Sequence, residues 1–198
     1  MQRTLLRLTT FAAGIVPTAA FAHPGLGDHF DFAGGFAHPL SGADHVLAMV
    51  AVGLFAAHLG GRALVLVPAT FVLTMAAAGV LGMAGVGIPF VELGVALSVV
   101  VLGATIASRL NTPVAVAMAL VGFFAIFHGH AHGTEMAGLG AGALYGVGFV
   151  LATALLHAVG IGLGLAMGSL SHVYGKRLFQ LSGSAVALAG VAILVGAL

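Results

Sequence analysis

Long apolar segments without charge constrain this chain more than any other feature. Between its few charged residues, uncharged apolar runs of bilayer-spanning length recur from about residue 43 to residue 198. Runs of about 20 apolar residues are typical of membrane helices, whereas buried helices of soluble proteins are shorter or carry a polar face. The sequence therefore predicts an all-α fold, a polytopic membrane helix bundle with no large soluble domain.

The composition agrees with this fold and narrows the classes of partner. Of the 198 residues, 61% are hydrophobic and 6% are charged, whereas ordinary soluble proteins carry about 25% charged residues. The net charge of +1 offers no basic surface for nucleic acid. The chain has no cysteine, which excludes disulfides and thiolate metal sites. The expected partners are the lipid bilayer and a small ligand or ion, and no nucleic acid.

The N-terminus has the three parts of an export signal. They are the basic residues Arg3 and Arg7, an apolar stretch over 8–16, and Ala-Phe-Ala at 20–22. We predict a signal peptide over residues 1–22, followed by a single six-helix transmembrane domain over 23–198. His23 then becomes the mature N-terminus. The alternative, an uncleaved anchor helix, gives the same orientation.

The basic residues define the predicted topology. The predicted spans are 43–60, 63–83, 91–108, 113–131, 139–168 and 178–198. Beyond the signal, every Lys and Arg falls at alternate connections, which carry Arg62, Arg109, Lys176 and Arg177. The positive-inside rule places this side in the cytoplasm. The opposite side carries every acid, namely Asp28, Asp31, Asp44, Glu92 and Glu135, and we expect it to face outward together with the mature N-terminus.

Histidine is unusually abundant for a membrane protein, with ten residues against five acids. Two short clusters hold five of them, His-Pro-Leu-Ser-Gly-Ala-Asp-His over 38–45 and Phe-His-Gly-His-Ala-His-Gly-Thr-Glu over 127–135. The predicted topology brings both clusters to the outer membrane surface. Imidazole and carboxylate ligands together suit nickel, cobalt, zinc and copper(II), whereas calcium and magnesium need mostly oxygen ligands. The clusters therefore predict a transition-metal site.

The spacing within each cluster assigns provisional roles. On a helix, His128, His132 and Glu135 are separated by four and three residues and share one face. His130 lies about 200° from His128 at about 100° per residue, so we expect a different role for it. Asp44 either binds the metal or orients a histidine from outside the ligand shell. With Ser41 three residues earlier, Asp44 also fits a capping box at the start of the first span.

Four further residues are weaker metal candidates, and His130 is one of them. Glu92, at the outer start of the third span, either joins the site or complements the N-terminal end of its helix. His157 lies deep in the fifth span, where an ionisable side chain is costly and faces the protein interior. It is either a relay ligand on the ion path or a hydrogen-bonded packing residue. His23 would chelate through its amine and its ring.

At these motifs the chain resembles the HupE/UreJ family of nickel/cobalt permeases, which accompany hydrogenases and ureases. The resemblance extends over essentially the whole chain and is carried by the spacing of His38, Asp44 and His45 and by the motif over 127–135. It implies a secondary metal permease of the bacterial inner membrane. It also implies metal-handling roles for His38, Asp44, His45, His128, His132 and Glu135. His130 occupies a variable position of the motif.

We therefore predict a transporter of Ni²⁺ or Co²⁺ with no prosthetic group, and not an enzyme. The chain has no Gly-x-x-x-x-Gly-Lys-Ser/Thr loop for nucleotide hydrolysis, so the membrane potential would drive uptake. Two alternatives remain open, a metal-binding accessory subunit of a larger complex and an intramembrane metallohydrolase. A His-Glu-x-x-His motif would favour the hydrolase, and the sequence has none. The residues favour neither nickel nor cobalt, and they fit both a monomer and a homo-oligomer.

Overall fold

The computed structural model describes residues 31–139, 142–170 and 172–197, and every regular element in these ranges is a helix. The helices are α1 (Phe32–Ser41), α2 (Ala43–Leu59), α3 (Ala63–Met83), α4 (Val91–Ser108), α5 (Val114–Leu139), α6 (Ala143–Gly168) and α7 (His172–Leu194). The predicted signal peptide and His23 lie outside the described residues.

The long helices confirm the predicted polytopic membrane bundle. Five of them, α3 to α7, are long and apolar enough to cross a bilayer, and the bent pair of α1 and α2 makes a sixth candidate span. Four predicted boundaries were wrong. The fourth predicted span corresponds to α5, which continues to residue 139. The fifth corresponds to α6, which begins at 143, and the sixth to α7, which runs from 172 to 194. Hydropathy marks where apolar residues stop, whereas backbone hydrogen bonds continue a helix through a polar segment such as 128–135.

Helix α1 was not predicted. Asp31 caps its N-terminus by accepting a hydrogen bond from the Gly34 amide at 2.9 Å. The helix continues through Pro39 and ends where Gly42 adopts an extended conformation. The chain then turns by 85° into α2. This bend matters for the site because α1 carries His38.

Glycines allow the helices to pack closely in pairs. The most extensive packing joins α3 to α5, α4 to α7, and α2 to α6. On α5, a Cβ at Gly129 or Gly133 would overlap the α3 backbone at Met75 or Gly79. Small residues at such contacts are the usual packing device in lipid. Because this face of α5 lies against α3, the His128 and His132 rings project toward α1, α2 and α4.

The bundle has a histidine end and a basic end. Successive helices run in opposite directions because their connections are short, so α2 and α4 begin at the end where α3 and α5 finish. The histidine clusters lie at that end. The opposite end carries Arg62, Arg109, Lys176 and Arg177. Between the ends, many leucines and valines remain highly exposed, such as Leu73 and Leu188 at 70%, which is the surface expected against lipid.

Candidate metal centre

Three helices bring the predicted ligands together from distant parts of the chain. His38 comes from α1, Asp44 and His45 come from the first turn of α2, and α5 supplies the remainder. The α5 residues are His128, His132 and Glu135. All of these side chains meet at the histidine end of the bundle.

One group of donor atoms lies at the surface of the cluster, and we call it the outer trio: His38, His132 and Glu135. Nδ1 of His132 lies 2.9 Å from Oε2 of Glu135 and 3.0 Å from Nε2 of His38. The same Glu135 oxygen lies 3.2 Å from Nε2 of His38. The Glu135 side chain is 43% exposed and that of His38 only 13%. The outer trio therefore offers two nitrogens and one carboxylate to a cation arriving from solution.

A second group lies deeper, and we call it the inner trio: His45, His128 and His132. Nε2 of His45 lies 2.7 Å from Nε2 of His132 and 3.1 Å from Nδ1 of His128. All three residues are buried, and His128 has no exposed surface. His132 belongs to both trios because its two ring nitrogens face opposite ways. The cluster is thus continuous from the surface to the buried His128.

Asp44 supports His45 rather than capping α2 through a box. Its Oδ1 accepts a hydrogen bond from the His45 amide at 2.8 Å and lies 3.6 Å from Nδ1 of the same residue. The N-cap position is Gly42, and the Ser41 hydroxyl donates instead to the His38 carbonyl. The capping-box alternative is therefore wrong. The position of Asp44 matches the second role that its spacing suggested, a carboxylate that orients a histidine.

A small polar cavity of about 60 Å³ opens beside the cluster. Its polar lining consists of His38, Ser41, Asp44, His45, Glu92, His132 and Glu135. Glu92 is exposed in the first turn of α4. It adds a third carboxylate to the cavity wall. It also lies where a carboxylate complements the N-terminal end of a helix, which is its alternative role.

His130 was a weaker metal candidate, but it lies away from the clustered donors, on the side that its angular offset from His128 indicated. Its ring is buried, and Nε2 donates a hydrogen bond to the carbonyl of Val86, which lies in the connection between α3 and α4. This contact holds that connection against α5. The geometry gives His130 a structural contact rather than a place among the clustered donors.

Ser98 on α4 is part of the cluster, although the sequence did not predict a role for it. Its hydroxyl is fully buried and lies 2.8 Å from Nε2 of His128. The available signal was its position: Ser98 is an isolated hydroxyl within an apolar helix, between one and two turns from Glu92. An isolated serine in a membrane helix has many roles, so this signal alone would not have identified a histidine partner.

His157 lies farther into the bundle and is 1% exposed. Among the described residues, neither of its ring nitrogens has a hydrogen-bond partner, and the same is true of the Thr153 hydroxyl one turn earlier on α6. The ring of Phe71 packs against both His157 and His128, with centroid distances of 5.2 and 5.6 Å. One aromatic ring therefore connects the inner trio with the deepest histidine.

Comparison with known proteins agrees with these motifs. The model of the HupE / UreJ protein family matches residues 11–193. The curated "Protein HupE" of Rhizobium leguminosarum bv. viciae is 47% identical over 190 residues, which cover 95% of this chain and 96% of that protein. No solved structure gives a significant match. The chain belongs to the HupE/UreJ family.

Proposed function

We propose that this protein is a secondary importer that carries Ni²⁺ or Co²⁺ across the bacterial inner membrane. One observation carries the proposal: imidazole and carboxylate donors from α1, α2 and α5 converge beside a small polar cavity in an otherwise apolar bundle. Buried polar groups are costly in a membrane protein and mark ion paths. Family membership supports the same cargo, because the motif resemblance is to nickel/cobalt permeases.

The donor set supports a borderline divalent ion. The cluster is dominated by imidazole nitrogens, and its carboxylates lie toward the exposed side. Nitrogen ligands suit nickel, cobalt, zinc and copper(II), whereas hard cations would need an oxygen-rich site. The chain has no cysteine that would favour soft ions.

We propose that the histidine end faces the periplasm. The basic residues at the opposite end support this orientation through the positive-inside rule. The chain has no native cysteine, so single cysteines report exposure directly. Cysteine at Ala37 or Ala137 should react with an impermeant thiol reagent in intact spheroplasts, whereas cysteine at Ser108 should react only after lysis. The reverse pattern would refute the orientation.

The membrane potential is a sufficient drive for this proposed transport. Two positive charges moving inward across 100 mV release roughly 4.6 kcal/mol, which corresponds to about three decades of accumulation. The ion would be captured at the outer trio, lose part of its hydration shell in the cluster, and pass His157 toward the basic end.

Ion flux into proteoliposomes tests the proposal. Purified protein should accumulate Ni²⁺ or Co²⁺ when a diffusion potential is negative inside, and replacing His45 or His132 by alanine should abolish accumulation. His130→Ala is a matched control, because it removes the same side chain from the same helix without touching the cluster. Absence of flux by correctly inserted wild-type protein would reject the importer.

The alternatives give different results in the same preparation. Three imidazoles are also the ligand set of some catalytic zinc sites, so a metallohydrolase would show zinc-dependent hydrolysis without flux. An accessory subunit would bind the ion but move none across the vesicle membrane. We favour transport because polar groups without a hydrogen-bond partner among the described residues continue beyond the cluster at Thr153 and His157, where neither alternative needs them.

A further inference from the structure

The proton on His128 can be located from its contact with Ser98. The Ser98 hydroxyl lies 2.6 Å from the carbonyl oxygen of Val95 and 2.8 Å from Nε2 of His128. Each contact requires a hydrogen between the two atoms, but the hydroxyl has only one. The carbonyl can only accept, so Ser98 donates to it. The second hydrogen therefore belongs to Nε2 of His128, and a neutral His128 presents an unprotonated Nδ1 to the inner trio.

The two other rings of the inner trio have equivalent outer partners. The Asp44 carboxylate lies on the Nδ1 side of His45, at 3.6 Å, and favours the ring proton there. The Glu135 carboxylate lies 2.9 Å from Nδ1 of His132 and accepts a hydrogen bond from the protonated Nδ1. Both rings then present an unprotonated Nε2 to each other, at 2.7 Å. Three outer oxygens thus direct the lone pairs of His128 Nδ1 and His132 Nε2 toward Nε2 of His45.

The lone pairs of the two nitrogen pairs that share His45 repel at these separations unless a positive charge lies between them. Two nitrogens that are each about 2.1 Å from one metal ion, at a right angle, are about 3.0 Å apart. The nitrogen separations of 2.7 and 3.1 Å around His45 are close to this value. The spacing therefore fits a contracted ligand set for one cation.

We propose that His45, His128 and His132 form an inner, all-nitrogen metal site, and that Ser98 is the positioning residue that presents Nδ1 of His128 to the ion. The inner site is separate from the outer trio and receives the ion from it. For the identity of its cargo, it rests on the proposed import of Ni²⁺ or Co²⁺. A neutral His132 has one protonated and one unprotonated ring nitrogen. It can therefore bind an ion in only one trio at a time, so each chain holds one ion in the cluster.

The number of imidazoles bound to the metal distinguishes the two sites. X-ray absorption of the purified full-length protein, loaded with one equivalent of Ni²⁺ or Co²⁺, should show three imidazoles. Ser98→Ala should reduce this number to two, with carboxylate oxygen added, because the ion then stays in the outer trio. Affinity should fall about 10- to 100-fold, as is typical when an outer partner of a metal-binding histidine is lost.

Two controls separate positioning from general damage. Thr105→Val on α4 removes a buried hydroxyl that donates to the Val101 carbonyl, its hydrogen-bond partner among the described residues, and it should retain three imidazoles. Ser98→Thr restores the hydroxyl and should restore the third imidazole. If Ser98→Ala does not fold, His38→Ala provides a second test of the inner site. It removes a ligand that belongs to the outer trio alone, so the variant should retain three imidazoles.

The possible failures are distinguishable. Two imidazoles in the wild type, unchanged in Ser98→Ala, would overturn the inner site even if vesicles accumulate the ion. Three imidazoles in the wild type without any flux would instead refute the importer and leave the inner site standing. Loss of the third imidazole in Thr105→Val as well as in Ser98→Ala would overturn the specific role of Ser98.

Discussion

The buried imidazoles of the cluster at the histidine end and the buried imidazole of His157 on α6 differ in their hydrogen-bond partners. In the inner trio, each ring has contacts on both nitrogens, and outer oxygens fix its orientation. His157 is equally buried but has no hydrogen-bond partner on either nitrogen among the described residues. Phe71 packs against both environments.

This difference separates two tasks that a carrier must perform. A cluster with fixed rings loses little freedom when it binds an ion, so it suits selective capture. A buried ring without partners costs about 1–3 kcal/mol of stability, and a passing ion would recover part of this cost. We interpret the cluster as the binding site and His157 as a point that the ion passes. The following substitutions test this difference between the two regions.

Loss of His132 should have the largest effect, because this residue belongs to both trios. His132→Ala should abolish metal binding and uptake while the protein remains inserted. Calorimetry on the purified variant and flux in vesicles would measure the two effects. Near-normal uptake by this variant would contradict the assignment of the cluster.

Acid should weaken the cluster through competition between protons and the metal. Every ligating imidazole must be unprotonated, so uptake should fall severalfold between about pH 7 and pH 5. The measurement is initial flux at constant membrane potential over this range. Flux that stays flat across these values would argue that imidazole does not bind the ion during capture.

Substitution of His157 should separate binding from passage. His157→Leu fills much of the same volume but removes both nitrogens, so flux should fall about tenfold while affinity at the cluster stays unchanged. Binding and flux are measured on one preparation. If His157 only packs instead, flux should persist, and stability should stay the same or rise, because the two nitrogens that are removed have no hydrogen-bond partner among the described residues.

A smaller effect should follow from disturbing the packing that orients α5. A Cβ at Gly133 would overlap the α3 backbone at Gly79, whereas one at Gly162 on α6 meets no described atom. Gly133→Ala should therefore cost about 1–3 kcal/mol of stability and weaken metal binding severalfold, and Gly162→Ala should change neither. Denaturant titration and calorimetry measure both quantities. Equal behaviour of the two variants would mean that close packing does not support the cluster.

The fold was largely predictable because membrane helices follow from local properties. Apolar length and the placement of Arg62 and Arg109 were sufficient for the bundle. Helix α1 was missed because its ten residues are too short to span a bilayer, although Asp31 before an apolar run was an available capping signal. Helix ends were misplaced where polar residues such as His130 continue a helix.

The histidines and carboxylates that come together were predictable from the sequence, but their arrangement was not. Spacing could group His128 with His132, because both lie on one helix. It could not show that His132 faces two groups of donors, because that depends on the 85° bend before His45 and on the rotation of α5 against α3. Ser98 was not predictable, because its partner lies on another helix.

The central claim is that two motifs distant in the sequence form one site, and a double-mutant cycle tests it most directly. Metal affinity would be measured for wild type, His45→Ala, His132→Ala and the double variant, with folding checked in each. Because these two rings meet at 2.7 Å, His132→Ala should already destroy the site that His45 completes, and the double variant should bind no more weakly than His132→Ala alone. Independent, additive losses would contradict a shared site, since separated sites show additive effects.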